Sequence, residues 1–224
     1  MDTAHDYEDL SDRDLAARAR ARDAQAIRLI TTRNNQRLYR AAWSVLRNRA
    51  DAEEAVQDAY VKAFTTGRFE GRSALATWLT RIVINEALTR KRANEARKRS
   101  LADADITQID DYREKLMSVS LRSPEFQMLR AELAKALEAA IARLPEEFRT
   151  VLVLRDIEDM SVEETAEALD ILTATVKTRH LRARRRLRQE IDPDFRAVLA
   201  ETLRFDGENC ERMTTRAVAA LTHE

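Results

Sequence analysis

In a chain of 224 residues there are only three glycines and three prolines, where average usage would place roughly 15 and about 11. Tight β-turns draw on those two residues, so the scarcity disfavours sandwiches, barrels and Rossmann sheets. Alanine, leucine, arginine and glutamate fill the chain instead, and these are strong helix formers. The expected class is all-α. With 44% hydrophobic and 35% charged residues, a core is within reach beneath a highly charged surface. The length suits one or two domains.

One cysteine, Cys210, cannot form an internal disulfide, which points to a reducing compartment. No apolar run approaches the ~20 residues of a membrane span. The acidic stretch Met1–Asp14 has no apolar signal core, so the expected location is cytoplasmic.

The formal net charge is zero, 39 basic against 39 acidic residues, but the charges are segregated. Between Pro145 and Asp170 nine acids stand against Arg149 and Arg155 alone. From Lys177 to Arg188 seven bases run without an acid, and Arg90–Arg99 is a second basic cluster interrupted only by Glu95. Local fields of this kind, not the sum, decide what a surface attracts.

Apolar spacing divides the chain into two helical blocks. In the first, Leu15, Ile27, Ile30, Leu38, Trp43 and Leu46 recur at helical steps. Asp51 reads as the cap of a helix with acids in its first turn and a stripe at Ala55, Val56, Ala59, Tyr60 and Phe64. Gly67 and Gly71 mark the loop Thr66–Ser73. Ser73 is placed to cap a helix whose apolar face is Leu75, Trp78, Leu79, Ile82, Val83 and Leu88. Residues from about 93 to 123 lose the periodicity and read as a linker. The second block opens at Pro124-Glu125 and carries the stripe Leu129, Leu133, Leu137, Ile141 and Leu144. After Pro145 come Phe148, Val151, Leu152 and Leu154. Ser161-Val-Glu-Glu164 is a capping box, a short helix follows, and Thr173 starts a basic one. Two short helices across a brief turn, the second basic, describe a helix-turn-helix.

In that motif Val162, Ala166 and Leu169, with Val176, Ala183 and Leu187, supply the inner faces. Thr175, Lys177, Thr178, Arg179, Arg182 and Arg186 lie outside them. Threonine and arginine near the start of such a helix reach base edges in a major groove, and later arginines suit phosphates. A second candidate is the glycine-bounded loop with Arg68 and Phe69, followed by Asn85, Arg90 and Arg92. Aromatic and basic groups around a loop suit unstacked bases. Phe69 is the better base contact, since Trp78 falls in the apolar stripe of its own helix.

These residues resemble the bacterial extracytoplasmic-function sigma factors, small sigma-70 subunits of RNA polymerase. Asp51-Ala-Glu-Glu-Ala-Val-Gln-Asp-Ala-Tyr-Val-Lys-Ala-Phe64 is similar to their region 2 polymerase-binding helix. Arg68-Phe-Glu-Gly71 and Thr77–Asn85 are similar to their −10 loop and helix. Leu144-Pro-Glu-Glu-Phe-Arg149, Thr175–Arg179 and Arg182–Arg188 are similar to region 4. The resemblance implies two small helical domains, region 2 over 12–95 and region 4 over 124–190. It also implies a polar linker over 96–123 and a helical extension over 191–224. It assigns Asp51, Glu53, Glu54, Gln57 and Asp58 to the clamp helices of the largest polymerase subunit. Arg68, Phe69, Asn85, Arg90 and Arg92 go to the −10 element, and Thr175, Lys177, Thr178, Arg179, Arg182 and Arg186 to the −35 element. An anti-sigma factor is an expected partner.

The chain departs from that pattern in two places. Leucine then histidine is the common order after the recognition-helix arginine, whereas here His180 precedes Leu181. By wheel geometry His180 turns inward with Val176 and Ala183, and Leu181 outward. The tail 193–224 adds two amphipathic segments separated by Gly207, with Cys210 in the second. His5, His180 and His223 are too scattered for a zinc site, so no metal or cofactor is expected. No Walker loop, nucleophile elbow or His-Glu-x-x-His occurs, so no enzymatic activity of its own is expected. The competing readings are a helix-turn-helix regulator acting without polymerase and a decoy that sequesters an anti-sigma factor.

Overall fold

The structure, a computed structural model, describes residues 7, 9–100, 137–188 and 207–222. Among these residues it is helical throughout, with no strand. The first block holds α1 (Asp12–Arg20), α2 (Ala24–Leu46), α3 (Arg49–Thr65) and α4 (Leu75–Ser100). The second holds α5 (residues 137–143), α6 (Glu146–Leu152), a π-helical turn (Val153–Ile157), α7 (Val162–Leu169) and α8 (Thr173–Arg188). α9 (Gly207–Thr222) lies in the C-terminal extension. The Pro124-Glu125 helix start, most of the linker and the segment around Phe195 lie outside the described residues.

Two helix starts differ from the expectation. α3 begins three residues earlier than an Asp51 cap would place it, because Asn48 accepts the Asp51 amide at 2.9 Å. Asp51 therefore sits inside the first turn, where the helix dipole favours an acid. α4 is not capped by Ser73. The Asp12 carboxylate, from the start of α1, accepts the Leu75 amide at 2.8 Å. α4 also runs on to Ser100, over the start of the stretch read as linker.

The expected stripes are buried. Leu38, Tyr60, Leu79 and Val83 of the first block, and Leu137, Ile141, Leu152 and Leu154 of the second, are fully enclosed. They belong to one continuous apolar cluster. The two blocks are thus packed on each other, α6 against α2 and α7 against α4. That contact explains why α7 also buries Thr165 and Ala168, off the stripe expected for it. Small side chains let two helices approach closely.

Polar links cross the same boundary. Arg40 Nη1 meets the Glu158 carboxylate at 2.8 Å, and Arg37 Nε lies 3.6 Å from its other oxygen. Lys91 pairs with Glu146, Ser44 with Thr150 at 3.2 Å, and Thr77 donates to Glu164 at 3.3 Å. Arg149 is buried, donating to the carbonyls of Ser44 in the first block and of Ala142 and Leu144 in its own. Burial, with Arg47 nearby, pulls its guanidinium down to about 10.

Candidate nucleic-acid interface

The helix-turn-helix is built as its sequence dictates. Ser161 Oγ accepts the Glu164 amide at 3.0 Å and the Glu164 carboxylate accepts the Ser161 amide at 2.7 Å, closing both halves of the capping box. Those bonds, the Ser161 amide foremost, hold the Glu164 carboxyl below its ordinary value. The turn has no glycine. Asp170 takes the left-handed conformation at φ 53°, one of the few non-glycine residues suited to it. The Ile171 amide then returns to the Ala166 carbonyl at 3.0 Å. Val176 and Ala183 are fully buried, with Val176 against Val151 and Ala166.

This seating turns the opposite face of α8 outward. Lys177, Thr178, Arg182, Arg185 and Arg186 are exposed, and Thr175 is half-buried. Arg179 lies 3.1 Å from Glu147, and the Arg186 guanidinium stands 4.9 Å over the Phe148 ring, so both are partly held at the base of the helix. His180 faces inward, 2.9 Å from Asp156 on the π-helical turn, and Leu181 projects outward at 70% exposure.

The second cluster is arranged differently. The loop before α4 is tied to α1 by Arg13 donating to the Glu70 carbonyl at 2.7 Å and Arg20 donating to the Gly67 carbonyl at 2.9 Å. Gly67 is required, because a Cβ there would stand 2.7 Å from the Ala63 carbonyl oxygen. Arg68, Asn85 and Arg92 are exposed. Phe69 is half-buried against Trp78, ring centroids 5.4 Å apart. Arg90 turns back on α3, pairing with Glu54 and, at 2.6 Å, with Asp58. Burial lowers its affinity for the proton, but those two carboxylates outweigh it and raise it above the ordinary value.

Two sets assigned to different partners therefore touch. Arg90 was expected on DNA, Glu54 and Asp58 on the polymerase. Of the other acidic-face residues, Asp51 accepts from Asn94 at 3.1 Å, Glu53 pairs with Arg49 at 3.0 Å and Gln57 is half-buried. The Arg90 pairs are exposed, and pairs of that kind contribute about 0–1 kcal/mol, so they exchange readily for an intermolecular partner. The cross-block groups Arg37, Arg40, Arg149 and Glu158 had no place among the expected site residues. The one available signal was two arginines, Arg37 and Arg40, bracketing Leu38 and Tyr39 of an apolar stripe.

Residues 30–97 match the Sigma-70 region 2 family and residues 134–187 the Sigma-70, region 4 family. The chain is 32% identical over 188 residues to the RNA polymerase sigma-H factor of Pseudomonas aeruginosa, covering 83% of this chain and 96% of that one. It is 32% identical to the ECF RNA polymerase sigma-E factor of Haemophilus influenzae, covering 83% and 98%. Among solved structures it shares its fold with the sigma factor RpoE of Bartonella quintana, solved in complex with the anti-sigma factor NepR. The TM-score there is 0.56 at 24% identity, over 74% of this chain and 94% of that one.

Proposed function

The chain belongs to the extracytoplasmic-function branch of the sigma-70 family, and we propose that it is a dissociable subunit that brings RNA polymerase core to promoters. The observation that carries the reading is the open cationic face of α8, with Lys177, Thr178 and Arg182 exposed although its block is packed against the other. In this reading Thr175, Lys177, Thr178, Arg179, Arg182 and Arg186 contact the −35 element. Arg68, Phe69, Asn85, Arg90 and Arg92 hold the −10 strand, and Asp51, Glu53, Glu54, Gln57 and Asp58 dock on the polymerase clamp helices. The polymerase makes the phosphodiester bonds, and the chain performs no catalysis.

Packing of the blocks sets a condition on this work. Elements centred near −10 and −35 lie about 25 base pairs apart, or about 85 Å of duplex. Blocks that share a core have to part before both elements are gripped at once. The packed form is then the resting state away from polymerase. The described helices include none long and apolar enough to cross a membrane, and the cytoplasm, where polymerase works, is the proposed location. An anti-sigma factor is the proposed regulator, supported by the complex in which the Bartonella relative was solved.

The test is duplex binding and run-off transcription with and without polymerase core. A promoter-specific transcript that requires both proteins is expected. Tight binding to a palindromic duplex without core would make the chain a conventional regulator, and anti-sigma capture with no transcript a decoy. Arg182→Glu is expected to abolish −35-dependent initiation and to leave core binding intact. Equal loss of both contradicts the assignment.

A further inference from the structure

α9 lies beyond both family-matched segments, yet it is seated in the first block, along α2 and α3. Met213, Thr214 and Ala217 are buried there, at 2%, 4% and 1% exposure. The seat has a polar floor. Tyr60 Oη donates to Asn35 Oδ1 at 3.0 Å, and Asn35 Nδ2 donates to Thr214 Oγ1 at 2.8 Å. Tyr60 and Asn35 are fully enclosed. This relay reaches α9 through the Thr214 hydroxyl, and removing a partner from a buried hydrogen-bonded group is costly. α9 is therefore specifically docked.

Its position in the chain gives that docking a consequence. The second block is joined to the first covalently through residues 101–136, and α9 follows α8 after residues 189–206. With α9 seated, the second block is fastened to the first at both ends. We propose that α9 is an intramolecular clasp, a second tether that holds the helix-turn-helix block closed on the first block and opposes the separation that promoter binding requires. The proposal rests on the sigma reading above only in its link to promoter binding. Even fully extended, the chain from Arg188 to Gly207 spans at most about 65 Å, less than the about 85 Å between the two promoter elements. With α9 seated, that reach caps how far the second block can move from the first. In the closed form the same short connector raises the effective concentration of one block beside the other, which falls roughly as the −3/2 power of connector length.

The clasp is tested on the full chain with about 20 glycine and serine residues inserted between 189 and 206, which lengthens the tether and leaves α9 seated. Closure is read by zero-length carbodiimide coupling of Lys91 to Glu146, which touch across the blocks, over a salt series. Doubling the connector is expected to lower the closing constant about twofold, since residues 101–136 still join the blocks, with unchanged thermal stability, and to raise transcript yield at limiting protein. Thr214→Val, which removes the hydroxyl to which Asn35 donates, and a stop after residue 206 are expected to lower closure further. If the lengthened chain couples like the wild type while the truncation merely loses stability, α9 is a structural prop and the clasp is wrong. Failure of the sigma reading shows separately, as no transcript from any variant, with the coupling series still deciding the clasp.

Discussion

Glu158 is the point at which closure is most exposed to a single change. Its carboxylate side chain, 8% exposed, faces Arg40 at 9% exposure across the block boundary, with Arg37 as a second partner. Glu158→Gln keeps the shape and removes the charge, so Arg40 loses the Glu158 carboxylate while still buried. Removing one member of a buried pair costs about 3–5 kcal/mol. The 30% exposure of Arg37 puts this site at or just below the lower end, about 2–3 kcal/mol. The cost falls on the closed form alone, because separating the blocks lets Arg40 hydrate. A shift of that size lowers the closing constant roughly 30- to 150-fold. Small-angle scattering should report a larger radius of gyration, and Lys91–Glu146 coupling should fall with it. Arg40→Met combined with Glu158→Leu is the control, since replacing both ions by apolar groups is close to neutral. A double variant as open as the single one would refute the reasoning, as would Glu158→Gln with unchanged scattering.

Arg149→Lys keeps a positive charge but not the fork that reaches three carbonyls, so a loss of about 2 kcal/mol is expected. Calorimetry should show it as a Tm about 4–8 °C lower. Gly67→Ala forces backbone apart at the Ala63 carbonyl and should cost about 1–3 kcal/mol, read as faster proteolysis in the loop 66–73. Glu164 has a folded value below its ordinary 4.5, so its contribution is fully present above that value. It is lost as pH falls through the lower folded value. Acid should therefore weaken both the α7 cap and the bond to Thr77, and Glu164→Gln should flatten closure against pH below about 4.5.

Features governed by neighbours three or four residues apart were legible in the sequence. The capping box at Ser161, the buried stripes, the outward cations of α8 and the opposed directions of His180 and Leu181 all follow from helical spacing. Contacts between distant positions were not. Asp12 holds the start of α4 from 63 residues away, Arg40 reaches Glu158 over 118, and Asn35 meets Thr214 over 179. No periodicity encodes such a pairing, because nothing in the spacing of one polar residue names the distant residue it will meet. The same limit hid the engagement of Arg90 by Glu54 and Asp58. Each group was assigned correctly to a polar face, but which faces meet depends on how α3 and α4 pack.

The segregated charges acquire a use once those contacts are known. The acid-rich stretch 145–170 is divided between two neighbours. Glu146, Glu158 and Glu164 face the first block, while Glu147 and Asp156 face Arg179 and Arg184 of the recognition helix. Closed, the chain pairs much of its own basic charge and carries none in excess, so its long-range pull on phosphates is weak. Opening removes Glu146 from Lys91 and Glu158 from Arg37 and Arg40, so the first block is left less neutralised. Non-specific DNA affinity should then be higher in Glu158→Gln than in the wild type, although the changed acid pairs with Arg37 and Arg40 of the first block. It should also fall more steeply with salt, since each additional phosphate contact adds about 0.9 to the logarithmic slope. Filter binding of a promoterless duplex from about 50 to 200 mM salt measures both. An equal slope in the two proteins would mean that the acids of the second block shield nothing that DNA can reach.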